Sequence, residues 1–164
     1  MYLDNTYFTG QLYIPGLQYR SGVGAVMQAV NEYSLDWYIE KYEEEFLIEL
    51  LGRNLYNEMV DGVNNNEDKW IALRDKIYRA GDVSFSPAAN YVYFSAMRDF
   101  QTQTSMTGEV RGKNSNSIIV PAYDKLVRVW NDMVRMCRDI VQWMAEEGYG
   151  NLNCYWVTIN KFGI

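Results

Sequence analysis

The sequence predicts an all-α fold. We expect a helical bundle of about four helices, with an extended amino-terminal arm, a hairpin-like loop before the last helix and a strand-like carboxy-terminal tail. Two periodic patterns and one start signal carry this expectation. Leu126, Trp130, Met133, Cys137, Ile140 and Met144 recur at alternating steps of four and three, a sustained heptad seam. Leu35, Ile39, Tyr42, Phe46 and Leu50 trace one face of another helix. Ser86-Pro87 places a capping residue before a proline at the first helical position, where its missing N–H costs nothing. At 164 residues the chain is most economically one domain, read as an arm (1–30), a helical core (34–147) and a tail (149–164).

Residues 1–30 show no helical period. Tyr2, Tyr7, Phe8, Tyr13, Ile14 and Tyr19 are spread among Gly10, Pro15, Gly16, Gly22 and Gly24. Disordered segments are poor in aromatics, so the expectation is an ordered arm that needs a surface to lie on. The first helix begins at Ser34, a cap with Asp36 in its first turn. Gly52 interrupts it, and Leu55, Tyr56, Met59 and Val60 continue a shorter segment expected to stop at Asp61-Gly62. Trp70, Leu73 and Ile77 carry a short amphipathic helix closed by Gly81. After Pro87, Ala89, Val92, Tyr93, Ala96 and Phe100 form one face, and Tyr91, Phe94 and Met97 another. A helix apolar on most sides is buried centrally. Residues 106–120 read as a polar loop projecting from the bundle, and Pro121 opens the last helix. In the tail, Cys154 to Ile159 looks like a strand with apolar bulk on both faces. The expected core is Phe46, Leu50, Phe94, Phe100, Leu126, Trp130, Met133 and Ile140.

Composition narrows the function. The net charge of −6 argues against a face built to grip nucleic acid. Fourteen tyrosines and five tryptophans exceed what one small core absorbs, and such side chains favour interfaces. Six carboxylates stand against Lys41 between Asp36 and Glu49, and six basic residues against Asp124 and Asp132 between Arg111 and Arg138. These read as two helix faces of opposite sign, either solvated or meeting each other within or between subunits. Cys137 and Cys154 make neither a disulfide framework nor a zinc site. Met1-Tyr2-Leu3-Asp4 lacks a signal-peptide layout, and the apolar runs fall far short of the ~20 residues that span a bilayer. The expectation is a soluble chain made in a cytoplasm.

Catalytic chemistry finds little support. The chain has no histidine, which removes Ser-His-Asp and Cys-His catalysis and most zinc sites. Glu40, Glu44 and Glu45 read as a solvated acidic face rather than an all-carboxylate metal site. Gly108-Glu109-Val110-Arg111-Gly112-Lys113 fails as a phosphate loop: only three residues separate its glycines, and Asn114 stands where serine or threonine is needed. We expect no catalytic residue, metal or cofactor. Arg111, Lys113 and Asn114 are instead expected on a loop facing a channel or an adjoining ring. Tyr149, Tyr155, Trp156, Val157 and Ile159 are expected to work between molecules, pairing with a neighbouring copy or another protein by strand addition; the alternative is that the strand folds back onto its own subunit's 106–120 loop or amino-terminal arm.

Three blocks carry a resemblance. Glu43 to Gly62 runs an apolar helix into Leu51-Gly52-Arg53-Asn54-Leu55-Tyr56. Ser86-Pro87 precedes a tyrosine-rich helix and then Thr102-Gln103-Thr104-Ser105-Met106-Thr107-Gly108. Asn116-Ser117 precedes the last helix, which contains Val129-Trp130-Asn131-Asp132-Met133-Val134. In order and spacing, over roughly residues 35–145, this resembles the head–tail connector proteins of tailed bacteriophages, including crAss-like and other phages of Bacteroidales. The long aromatic amino-terminal segment departs from that pattern. The resemblance implies a virion protein of the neck, assembled in the host cytoplasm and forming a ring, usually of twelve copies, beneath the portal protein. Such a ring continues the DNA channel, lies close to viral DNA without reading it, and receives the next ring or tail protein; no membrane is involved. The alternatives are another neck or tail ring, a tail-completion protein, or a monomeric helical module that binds a protein.

Overall fold

Ser34 acts as the sequence requires. In the computed structural model its hydroxyl accepts from the Trp37 N–H at 3.3 Å, and α1 runs Leu35–Leu51. The structure describes residues 1–14, 34–81, 84–101, 103–105, 108–110, 123–150 and 152–160, with backbone alone for 100–101, 103–105 and 108–110. Arg111, Lys113 and Asn114 lie outside the described residues, as do the Phe100 side chain and most of the 106–120 loop.

Among the described residues, five α-helices carry the fold. Gly52 ends α1 with φ +78°, a left-handed angle that favours glycine, and its N–H returns to the Ile48 carbonyl at 2.8 Å. Helix α2 (Arg53–Asn64) starts at once, and α3 (Asp68–Ile77) follows a tight turn in which Asn66 takes φ +58°. Helix α4 is Pro87–Gln101, with Ser86 Oγ accepting from the Ala88 N–H. Helix α5 is Tyr123–Glu146. Between α4 and α5, β1 (Gln103–Ser105) and β2 (Gly108–Val110) form a short antiparallel hairpin, with Thr104 opposite Glu109.

The bundle is layered. Helix α4 lies between α1 and α5 and packs on both, while α2 and α3 pack on each other and α3 reaches α5. The central place of α4 follows from its composition: Ala88, Ala89, Val92, Tyr93 and Ala96 are all buried. Of the expected core, Phe46, Leu50, Leu126, Met133 and Ile140 are buried. Trp130 and Phe94 are only partly buried; their rings pack together at 4.8 Å on the flank of the core. The heptad seam overstates Trp130 because the side chain leans out to reach the tail.

Two helix ends differ from expectation. Gly62 does not stop α2, which continues to Asn64. Its role is steric: a Cβ there would sit 1.8 Å from the Trp70 ring, so glycine lets the indole of α3 lie against α2. Helix α3 ends at Ile77, before Gly81, and the chain then forms an antiparallel bridge between Arg79 and Phe85.

The described part of the arm is folded onto the bundle. Two 3-10 turns, Asn5–Tyr7 and Gly10–Leu12, bring Leu3, Tyr7, Phe8 and Ile14 into the core. A buried carboxylate secures it. Glu43 on α1 is 3% exposed, and its Oε1 accepts from the backbone N–H groups of Tyr2 (2.8 Å) and Leu3 (2.9 Å). Tyr78 packs beneath against the Tyr2 and Tyr7 rings. Its hydroxyl is buried near Glu43 without a hydrogen bond of good geometry. Burial, then the Glu43 charge, holds that hydroxyl well above the ordinary tyrosine value.

Candidate interaction surface

The tail supplies the side chains that the sequence marks for contact, and α5 positions them. Gly148 and Gly150 take φ +77° and +110°, turning the chain off the end of α5. Tyr149 is buried between Trp70 and Trp143, and its hydroxyl donates to the Lys69 carbonyl. The Lys69 ammonium lies 4.8 Å from the Tyr149 ring and 4.9 Å from that of Trp70.

Residues 152–160 then run extended across their own helices. Trp156 stacks on Phe46 of α1 at 5.2 Å with the rings nearly parallel, and lies 6.0 Å from Tyr91 of α4. On α5, the Trp130 indole donates to the Val157 carbonyl at 2.9 Å. The Asn131 carboxamide takes both backbone groups of Ile159, donating to its carbonyl at 3.0 Å and accepting from its N–H at 2.7 Å. A carboxamide offers the same donor and acceptor as a peptide group, so Asn131 replaces one rung of a sheet. No ladder with another strand forms among the described residues of the tail.

Three of the five expected contact residues therefore serve their own subunit: Tyr149, Trp156 and Ile159. The bundle takes the tail's inner face. Burial alternates over 152–157 and turns the other two outward, Tyr155 82% and Val157 69% exposed; the alternation stops at Thr158, which is exposed, while Ile159 is half-buried. Sequence reasoning found the residues but gave no role to Asn131, named only within the third block.

The charged groups fall into local pairs. Glu44 meets Arg53 at 3.7 Å, and the Tyr91 hydroxyl donates to Glu45 at 2.6 Å. Burial, then the Glu45 bond, raises the Tyr91 hydroxyl above its ordinary range. Asp132 pairs with Arg135 on α5 itself. The outward side of α5 also carries Asp139, so it is mixed in sign rather than basic. Among the described residues no group of three Cys, Asp or Glu is placed to hold a metal ion. Cys137 is buried and Cys154 half-buried, both as free thiols. Burial, and secondarily Cys154, pushes the Cys137 thiol upward and keeps it from the reactive thiolate form.

A groove flanks α5 on its other side. A cavity of about 490 Å³ lies between the amino-terminal turns, Phe85 and α5, bordered by Tyr7, Leu12, Asp132, Met136 and Asp139. A second of about 240 Å³ adjoins it, sharing Phe85, Met136 and Asp139 and floored by Ile77 and Ile140. Phe85 is 58% exposed on the wall between them. Among the described residues no helix is long and apolar enough to cross a membrane. Compared with protein families, curated proteins and solved structures, the chain matches none.

Proposed function

We propose that the chain is a structural, non-enzymatic subunit of a ring at the head–tail junction of a tailed bacteriophage, lying between the portal protein and the next ring or tail protein. One observation carries the assembling role. A tail segment fixed to the bundle at Trp156 and Ile159 holds Tyr155 and Val157 outward, 82% and 69% exposed. Fixing a segment before it meets a partner lowers the ordering cost of binding, and tyrosine is among the residue types enriched at the centres of interfaces. The phage assignment rests on the resemblance of the three sequence blocks. Leu51 to Tyr56 of the first block forms the junction of α1 and α2, where Gly52 turns the chain. The negative net charge supports passage of DNA through a ring without adhesion.

A second reading, a monomeric helical module that binds one protein, is favoured by the folding of arm and tail onto their own bundle. Native mass spectrometry separates the two. A ring subunit gives a species near twelve times 19.2 kDa, alone or on addition of portal protein, and a module stays at 19.2 kDa. Gold-labelled antibody against the chain should mark the neck of assembled virions. Label elsewhere, or none, removes the phage assignment.

A further inference from the structure

The course of the tail brings the chain's two cysteines to one place. Tyr149 packs on Trp143 near the end of α5, and Ile159 is held by Asn131 in the first half of that helix. Between those contacts the tail runs back along the helix. Cys154 lies midway between Tyr149 and Ile159 in the tail, and Cys137 lies midway between Asn131 and Trp143 on α5. A second measure agrees. Cys137 is seven residues beyond Trp130, about 10.5 Å along the helix axis and about 20° around it. Cys154 is three residues before Val157, whose carbonyl Trp130 holds, and three extended residues cover about 10 Å. Cys154 belongs to the inward set of the alternating stretch, with Leu152 and Trp156, and packs against the core that contains Cys137. Both are free thiols, Cys137 fully buried and Cys154 half-buried. The charge that Cys154 would carry as a thiolate is felt at the Cys137 thiol, as expected of neighbours.

We infer that Cys137 and Cys154 close an intrachain disulfide in an oxidising medium, strapping the tail to α5. From the sequence alone the pair makes no disulfide framework, and in a reducing cytoplasm both stay thiols. The oxidant is a low-molecular-weight disulfide. Cys154, the accessible thiol, gives its proton to solvent and attacks one sulfur of that molecule. Its S–S bond breaks, one half leaves and takes up a proton, and a mixed disulfide stands on Cys154. Cys137 then gives up its proton and attacks the Cys154 sulfur, expelling the second half as a thiol. The two cysteines lose two protons and two electrons, and the oxidant becomes two thiols. The new bond lies beside Tyr155, so it fixes covalently the segment that holds Tyr155 and Val157 outward. It does so whether the chain acts in a ring or alone.

The test exposes the folded, full-length protein to oxidised glutathione. Non-reducing peptide mapping should give a linked peptide pair containing Cys137 and Cys154, with the intact subunit lighter by two hydrogen atoms. Dithiothreitol should reverse both. Helical circular dichroism should be unchanged, the melting temperature should rise, and hydrogen exchange at Ile159 should slow by about tenfold or more. Cys137→Ser, or Cys137→Ala should serine loosen the core, should retain glutathione on Cys154. Cys154→Ser should take up none, because Cys137 is buried. Wild-type protein that keeps glutathione on Cys154 would place the two sulfurs beyond disulfide reach and overturn the inference. So would a Cys154–Cys154 bond between two subunits, or a linked protein that melts lower than the reduced one.

Discussion

At the scale of single residues, Glu43 decides how the amino-terminal arm is held. A carboxylate 3% exposed, with no cationic partner among the described residues, is costly unless hydrogen bonds replace its water, and two backbone N–H groups do so here. Removing the acceptor leaves the Tyr2 and Leu3 N–H groups without a partner, the Leu3 group being buried. Glu43→Ala should therefore lose about 1–3 kcal/mol, while Glu43→Gln, which keeps an acceptor oxygen, should lose less. Melting temperatures rank the two variants. Hydrogen exchange at Leu3 should accelerate in Glu43→Ala and change little in Glu43→Gln. Equal exchange in both would mean that Leu3, Tyr7 and Phe8 hold the arm by packing alone. In the sequence Glu43 is one of a run of three glutamates, and only its angular position on α1, between Ile39 and Leu47, distinguishes it from the exposed Glu44 and Glu45.

At the scale of elements, the tail is fixed by side chains rather than by a partner strand. Asn131 bonds both backbone groups of Ile159, and Trp130 bonds the Val157 carbonyl. Asn131→Ala should free residues 157–160 without melting the bundle, raising their hydrogen exchange while α4 and α5 stay protected. Unchanged exchange at Ile159 would show the Trp156–Phe46 stack to be sufficient. Trp130→Ala should cost less than the about 3–5 kcal/mol of a fully buried tryptophan, because the side chain is only partly buried. The helices were legible because 3.6-residue periodicity and the Ser34 and Ser86-Pro87 caps are local signals. The seating of the tail was not, because the partner of Ile159 lies 28 residues away and alternation says only that an apolar face must be covered, not by what. The candidate groove left no sequence signal, since arm, bridge and α5 meet there from distant parts of the chain. The outward places of Tyr155 and Val157 follow from alternation once Trp156 is known to point in.

At the scale of the whole molecule, burial of tyrosine and cysteine sets the response to pH. Tyr78 is raised by burial and then by Glu43, Tyr91 by burial and then by Glu45, and Cys137 by burial and then by Cys154. Each group holds its proton more tightly folded than unfolded. Their contribution to stability is thus fully present below the unfolded values, about 8.5 for cysteine and 10 for tyrosine, and is lost as pH rises through the higher folded values. Melting temperature should hold steady between pH 7 and 8 and fall progressively from pH 9 to 11, with tyrosinate absorbance rising in step with unfolding. A flat melting temperature across that range would show these groups open to water. Tyr78→Phe isolates the tyrosine buried beneath the arm. Its hydroxyl is buried without a well-formed hydrogen bond, so phenylalanine keeps the packing on Tyr2 and Tyr7 and removes a group that burial disfavours. At pH 7 the variant should match or exceed wild type in stability, and its decline above pH 9 should be shallower. A loss of more than about 1 kcal/mol at pH 7 would instead mean that the hydroxyl bonds Glu43 in solution, a net worth typical of such a bond.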